Sequence, residues 1–263
     1  MTVNLSPSAI LDVATELAER RINKTKGPSL PPELTPTGFS DAFAIARQVS
    51  AQYCQMASTQ VIGWKCAMPN GAKTIIGHLF ANEVQSAPKV PLIPTNGQAL
   101  IEPELCFTLG QDLPPRKTPY SHEEIDTVIG STRLALELIY SRYQAPAEQS
   151  FHSALADGLL NQGIWLGPDI IPAQDETYAE FDLTITTADA GKQVYQAKHQ
   201  DGHARAGLYW LVNFLSRQGI GLSKGQHVIT GSYAGVLALP FNQKVQFQYG
   251  SLGEFEVEFV ESH

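Results

Sequence analysis

The run Ile101-Glu102-Pro103-Glu104-Leu105-Cys106-Phe107 sets two carboxylates two residues apart inside an apolar stretch. In a pleated strand, residues i and i+2 project from the same face, so both acids would point one way and Ile101, Pro103 and Leu105 the other. Burying an unpaired carboxylate is costly, and two together also repel. A strand of this kind is stable either with the acids on a solvated face or with positive charge between them. A third acid, Glu137, stands in Leu134-Ala135-Leu136-Glu137-Leu138-Ile139. Ala135 and Ile139 share its face and the leucines line the other, so both faces look covered. An ion pair with Arg133 or Arg142 would account for it. So would a divalent cation, because three carboxylates plus water suit a hard ion such as Mg2+ or Mn2+. Pro103 has no N–H for a ladder and points to an edge strand or a bulge.

The chain has 263 residues, 43% of them hydrophobic, which is enough to bury a sizeable core and excludes disorder of the whole. With 18 Lys+Arg against 26 Asp+Glu, the net charge of -8 argues against a nucleic-acid partner. Cys54, Cys66 and Cys106 form no C-x-x-C pair, as expected of free thiols in a reducing compartment, so neither a disulfide nor zinc is expected. The N-terminal residues do not read as a signal segment, and no apolar run approaches the ~18 residues needed to span a bilayer. A cytoplasmic protein without membrane contact is the expectation.

Apolar residues at Ile10, Val13, Ala14 and Leu17 predict a helix over 6–22, capped by Ser6 or Ser8. After a proline-rich stretch, Ile45, Val49 and Tyr53 predict a second helix from Ser40. Residues 1–57 thus read as a helical N-terminal unit and 58–263 as a mixed, β-rich catalytic domain. In the second part, strands are predicted at Val61–Lys65 and Ala99–Leu109, a hairpin joins Phe181-Leu183-Ile185 to Val194, and another joins Val245–Tyr249 to Phe255–Phe259. Helices are predicted at about 121–129, where Ser121 and Glu124 fit a capping box, and at about 147–156 and 203–218.

Lys65 ends a strand, where a lysine either snorkels to water or faces the pocket. Partial burial and a nearby cation would then lower its pKa and suit it to moving protons. Gly231 and Ser232 end another strand with a tight turn, a place for backbone donors to meet a ligand oxygen or simply a turn. The histidines form no ligand-spaced pair: His122, His199 and His203 read as surface residues, His78 and His152 as packing residues. There is no G-x-G-x-x-G opening a helix, no G-x-x-x-x-G-K-[ST] and no G-x-S-x-G.

Taken in order, Gly63-Trp64-Lys65, Gly77 with Leu79-Phe80, Glu102-Pro103-Glu104-Leu105, Leu136-Glu137 with Ser141-Arg142, Thr230-Gly231-Ser232 and Tyr249-Gly250-Ser251-Leu252-Gly253 resemble the 2-keto-4-pentenoate hydratase family. That family includes 4-oxalocrotonate decarboxylases and belongs to the fumarylacetoacetate hydrolase superfamily. The resemblance spans roughly residues 8–260. It implies an α+β, β-roll-like fold, a homo-oligomer, Mg2+ or Mn2+ held by Glu102, Glu104 and Glu137, and Lys65 beside the substrate. The metal of such enzymes acts as a Lewis acid on the carboxylate and keto oxygens of a 2-oxo acid. The implied activity is a hydro-lyase adding water to a short 2-hydroxy-2,4-dienoate to give a 4-hydroxy-2-oxo acid. The alternatives are decarboxylation of a 2-oxo-3-enedioate, carbon–carbon bond hydrolysis, or a non-catalytic paralogue that serves a pathway aldolase, dehydrogenase or decarboxylase as structural partner. Two positions depart from the family pattern. Ile75 replaces an acid commonly found two residues before the glycine matching Gly77, and Asp157-Gly158-Leu159-Leu160 replaces Asp-Asn-Ala-Ser. Both changes alter the pocket.

Overall fold

The computed structural model describes residues 3–71, 73–171 and 177–262. The chain opens with α1 (Pro7–Ile22), whose cap Ser6 accepts from the Ala9 N–H and whose first position is a proline, where no N–H is required. Val13, Ala14, Leu17 and Ala18 bury one face of it against Ile45, Val49 and Tyr53 of α2 (Phe39–Met56). Both helices follow the predicted periodicity.

The strands are β1 (Val61–Cys66), β2 (Ile76–Phe80), β3 (Val84–Gln85), β4 (Lys89–Leu92), β5 (Ala99–Leu109), β6 (Ile129–Ile139), β7 (Asn161–Asp169), β8 (Glu180–Thr187), β9 (Gly191–Lys198), β10 (His227–Ile229), β11 (Leu237–Leu239), β12 (Lys244–Tyr249) and β13 (Glu254–Glu261). Short helices α3 (His122–Thr127) and α4 (Phe151–Ala156) and the longer α5 (Ala206–Arg217) interrupt them. Ser121 and Glu124 form the expected capping box on α3, and both expected hairpins are present as β8–β9 and β12–β13.

One sheet of eight strands runs β2-β1-β10-β5-β6-β7-β3, with β11 also on β5, and a second of five runs β4-β13-β12-β8-β9. The main core lies between them: Trp64, Leu105, Phe107, Leu136 and Leu138 from the first meet Phe247, Tyr249, Val257 and Phe259 from the second, with Leu208, Leu211 and Leu215 of α5. A smaller apolar cluster, Leu79, Cys106, Ala135, Ile164, Leu166 and Ile229, occupies the other side of the eight-stranded sheet. The acids lie on this second side. Gly63 serves the close approach of β1 to β10, since a Cβ there would stand 2.1 Å from the His227 carbonyl oxygen.

Pro103 does not mark an edge strand. β5 is central, flanked by β6 along its length and on its other side by two short strands, β10 against Cys106–Thr108 and β11 against Ala99–Ile101. Between these the chain leaves the sheet as a loop, so residues 102–105 lack a ladder partner there. The proline fits that gap, and its carbonyl accepts from the Tyr233 N–H at 2.9 Å. No helix among the described residues is long and apolar enough to cross a membrane.

Candidate metal centre

The register of β5 and β6 sets Glu102 directly opposite Glu137 and Glu104 opposite Ala135. Like charges facing each other across a ladder are destabilising. Glu102, Glu104 and Glu137 each bring one carboxylate oxygen within 4.8 Å of the others. Glu137 is fully buried and Glu104 is 2% exposed, so water relieves little of the repulsion.

Lys65 reaches the cluster from β1, its aliphatic stem beside Gly77. It does not snorkel: it is 7% exposed, and Nζ donates to Glu137 Oε1 at 2.5 Å and to the Leu159 carbonyl at 3.0 Å. The ion-pair partner of Glu137 is therefore Lys65, rather than Arg133 or Arg142. Arg142 is committed to Asp157, and Arg133 donates to the Gly167 carbonyl. The Leu159 carbonyl is carried to Lys65 by three successive residues with positive φ, Gly158 (80°), Leu159 (52°) and Leu160 (67°). Left-handed backbone is unfavourable for leucine, by about 1–2 kcal/mol per residue, so this turn holds strain beside the cluster.

The loop between β10 and β11 closes the third side. The Gly231 N–H donates to Glu104 Oε2 at 2.8 Å. Gly231 has φ 132°, a backbone conformation that favours glycine, whereas the Gln200 side-chain end 2.9 Å from a Cβ there could swing aside. Ser232 turns its hydroxyl to the Gly235 carbonyl. On β7, Asn161 Nδ2 donates to Glu137 Oε1 at 2.8 Å, while Glu137 Oε2 is buried with no partner.

The three acids, Lys65, Gly231 and Ser232 line a cavity of about 440 Å3 together with Ala67, Ile75, Phe151, Leu159, Gln200 and Tyr233, with Lys198 also on its lining, while Asn161 stands behind Glu137. Burial, then the charge of Glu137, pushes the Glu102 carboxyl up to about 7 against the pull of Lys65. Glu104 is raised well above the ordinary range by burial and by both neighbouring acids, despite the Gly231 N–H. For Lys65, burial acts downward, but Glu137, Glu102 and Glu104 outweigh it and hold the ammonium above its usual value. The expected lowering of the Lys65 pKa therefore does not arise from the protein alone. With three carboxylates to one ammonium, an orphaned carboxylate oxygen and all-oxygen donors, these residues fit a hard divalent cation.

Sequence reasoning missed Asn161, whose role depends on the β7 register, and misplaced His199. His199 is 1% exposed and packs edge-on to Tyr233 at 5.3 Å between ring centres, its pKa lowered by burial. The polar residues around it in sequence concealed its burial. His78 is a packing residue as expected, against Trp64 and bonded to Ser50.

The α+β fold that the resemblance implied is shared with solved structures of this type. Two structures of 4-oxalocrotonate decarboxylase from Pseudomonas putida G7 superimpose on it over 98% of this chain and 100% of theirs, each at 17% identity. One, complexed with magnesium and adipate, gives a TM-score of 0.77, and the other, with calcium and acetate, 0.75. A protein from Yersinia pestis CO92 assigned to the fumarylacetoacetate hydrolase family matches with a TM-score of 0.53 and 18% identity, over 75% of this chain and 91% of its own. No protein-family model and no curated protein matches the sequence. At these identities the likeness is one of fold.

Proposed function

We propose that this protein is a divalent-metal-dependent lyase acting on a short 2-oxo acid or its 2-hydroxydienoate enol. The observation that carries the reading is the convergence of Glu102, Glu104 and Glu137 at the cavity, with a buried Glu137 oxygen left over. These carboxylates would hold Mg2+ or Mn2+, which when bound supplies Lewis acidity toward a carboxylate and its adjacent keto oxygen. The magnesium and calcium of the decarboxylase structures support this choice.

The chain's own groups have separable tasks. An ammonium carries three donors, and Lys65 spends two on Glu137 and Leu159, so the third can hold or deliver a proton at Nζ. Gly231 keeps Glu104 in place. Ile75, Phe151 and Leu159 form an apolar wall that excludes water from part of the cavity and suits a hydrocarbon tail. That wall favours hydration of a 2-hydroxy-2,4-dienoate. A second reading, decarboxylation of a 2-oxo-3-enedioate, is favoured by Lys198, which could meet a second carboxylate, and by the near full-length match to a decarboxylase complexed with the dicarboxylate adipate.

The test is a spectrophotometric assay. Loss of dienoate ultraviolet absorbance should require Mg2+ or Mn2+ and collapse in Glu104→Ala, and equal rates in chelator would remove the proposal. Release of CO2 with preference for a dianionic substrate would select the second reading.

A further inference from the structure

Glu137 is the acid most completely withdrawn from water, and its two oxygens are treated unequally. Oε1 accepts from both Lys65 Nζ and Asn161 Nδ2, and Oε2 from nothing. Asn161 is itself fully buried. Its amide can sit only one way round: Nδ2 faces two acceptors, Glu137 Oε1 and the Gly163 carbonyl, whereas Oδ1 faces the Arg21 guanidinium at 3.4 Å. Arg21, on α1, is in turn held by the carboxylate of Glu83, which also accepts from the Tyr53 hydroxyl at 2.9 Å. A line of buried polar contacts therefore runs from the N-terminal helices to the third acid.

We infer that Asn161 is a positioning residue for the candidate metal centre: its amide, oriented by Arg21, ties down one oxygen of Glu137 and so leaves the other free for an ion. The inference rests on the metal reading above. A carboxylate able to rotate would present either oxygen and lose a lysine contact in doing so. A fixed one presents a single oxygen at no cost in ordering when the ion arrives. Outer contacts of this kind typically govern metal affinity by about 10–100-fold. A purely structural role, closing the start of β7 through the Gly163 carbonyl, would instead appear only in stability.

The experiment is titration calorimetry of the full chain with Mn2+ alone, on wild type, Asn161→Ala and Arg21→Lys, with folding checked by near-ultraviolet circular dichroism. The expected result is Mn2+ uptake by wild type, weakened about 10–100-fold in folded Asn161→Ala and less, in the same direction, in Arg21→Lys. A folded Asn161→Ala with wild-type affinity overturns the inference. If that variant does not fold, Arg21→Lys decides, and unchanged affinity there overturns it equally. Absence of Mn2+ uptake by wild type would instead sink the metal reading and the inference with it.

Discussion

Around Arg142 every buried charge has a partner, and around Glu104 the charges are left in conflict. Arg142, 2% exposed, donates to Asp157 Oδ1 at 2.7 Å, to the Asp157 carbonyl at 2.5 Å and to the Asn161 carbonyl at 2.9 Å. Arg21 is likewise bound by Glu83 and stacked over the rings of Tyr53 and Phe80. Joined to this network through Asn161, the acid cluster has, among the described residues, Lys65 as its one ion-pair partner and a carboxylate oxygen with no hydrogen-bond partner. The same stretch of fold thus satisfies one set of buried charges completely and leaves the next unsatisfied. The contrast separates a structural network from a binding site: only the second gains when a cation enters.

The strongest way to test the contrast is to break each side in turn. Arg142→Met should strand Asp157 in the interior and destabilise the protein by about 3–5 kcal/mol, read from urea unfolding. Glu104→Gln should act in the opposite sense. In chelator it relieves repulsion among the acids and should raise the melting temperature, while Mn2+ affinity falls by more than about 100-fold, beyond the loss expected for an outer contact. A Glu104→Gln variant as destabilised as Arg142→Met would erase the distinction.

The smallest effect concerns pH. The carboxyl of Glu102 sits at about 7 when folded against an ordinary 4.5. The folded state therefore binds this proton more tightly, and its contribution to stability is fully present below 4.5 and lost as pH rises to about 7. His78, buried and facing the charges of Arg47 and Arg21, falls from 6.5 to about 3. Its contribution has the opposite sign, present above 6.5 and lost as pH falls toward 3. In chelator, Glu102→Gln should therefore match wild type near pH 4.5 and exceed it in melting temperature at pH 7, and added Mn2+ should reverse that order. Identical melting temperatures for both proteins at pH 7 in chelator would show that Glu102 feels no buried neighbour.

Much of this was open to a reader of the chain. The one-face spacing of Val13, Ala14 and Leu17 and the alternation of Phe255, Val257 and Phe259 are local patterns, and the helix and hairpin they predict are present. So are the two acids on one side of β5, because period two is a property of the strand itself. The partner of Glu137 was not open to it. Lys65 lies 72 residues away and arrives only because β10 inserts between β1 and β5. The edge expected at Pro103 was a gap between two short strands, a feature of pairing rather than of residue type.

Local pattern was enough to place three acids in apolar strands and a lysine near the end of another, since side-chain direction along a strand follows from covalent geometry. The pairing of distant strands set Glu102 facing Glu137 across the ladder, brought Lys65 onto Glu137 with Glu102 and Glu104 close enough to hold its ammonium charged, and gave Asn161 and the Gly231 N–H one carboxylate each. Register, burial and long-range electrostatics are set by which strands pair, and pairing minimises the free energy of the whole chain rather than of any segment of it.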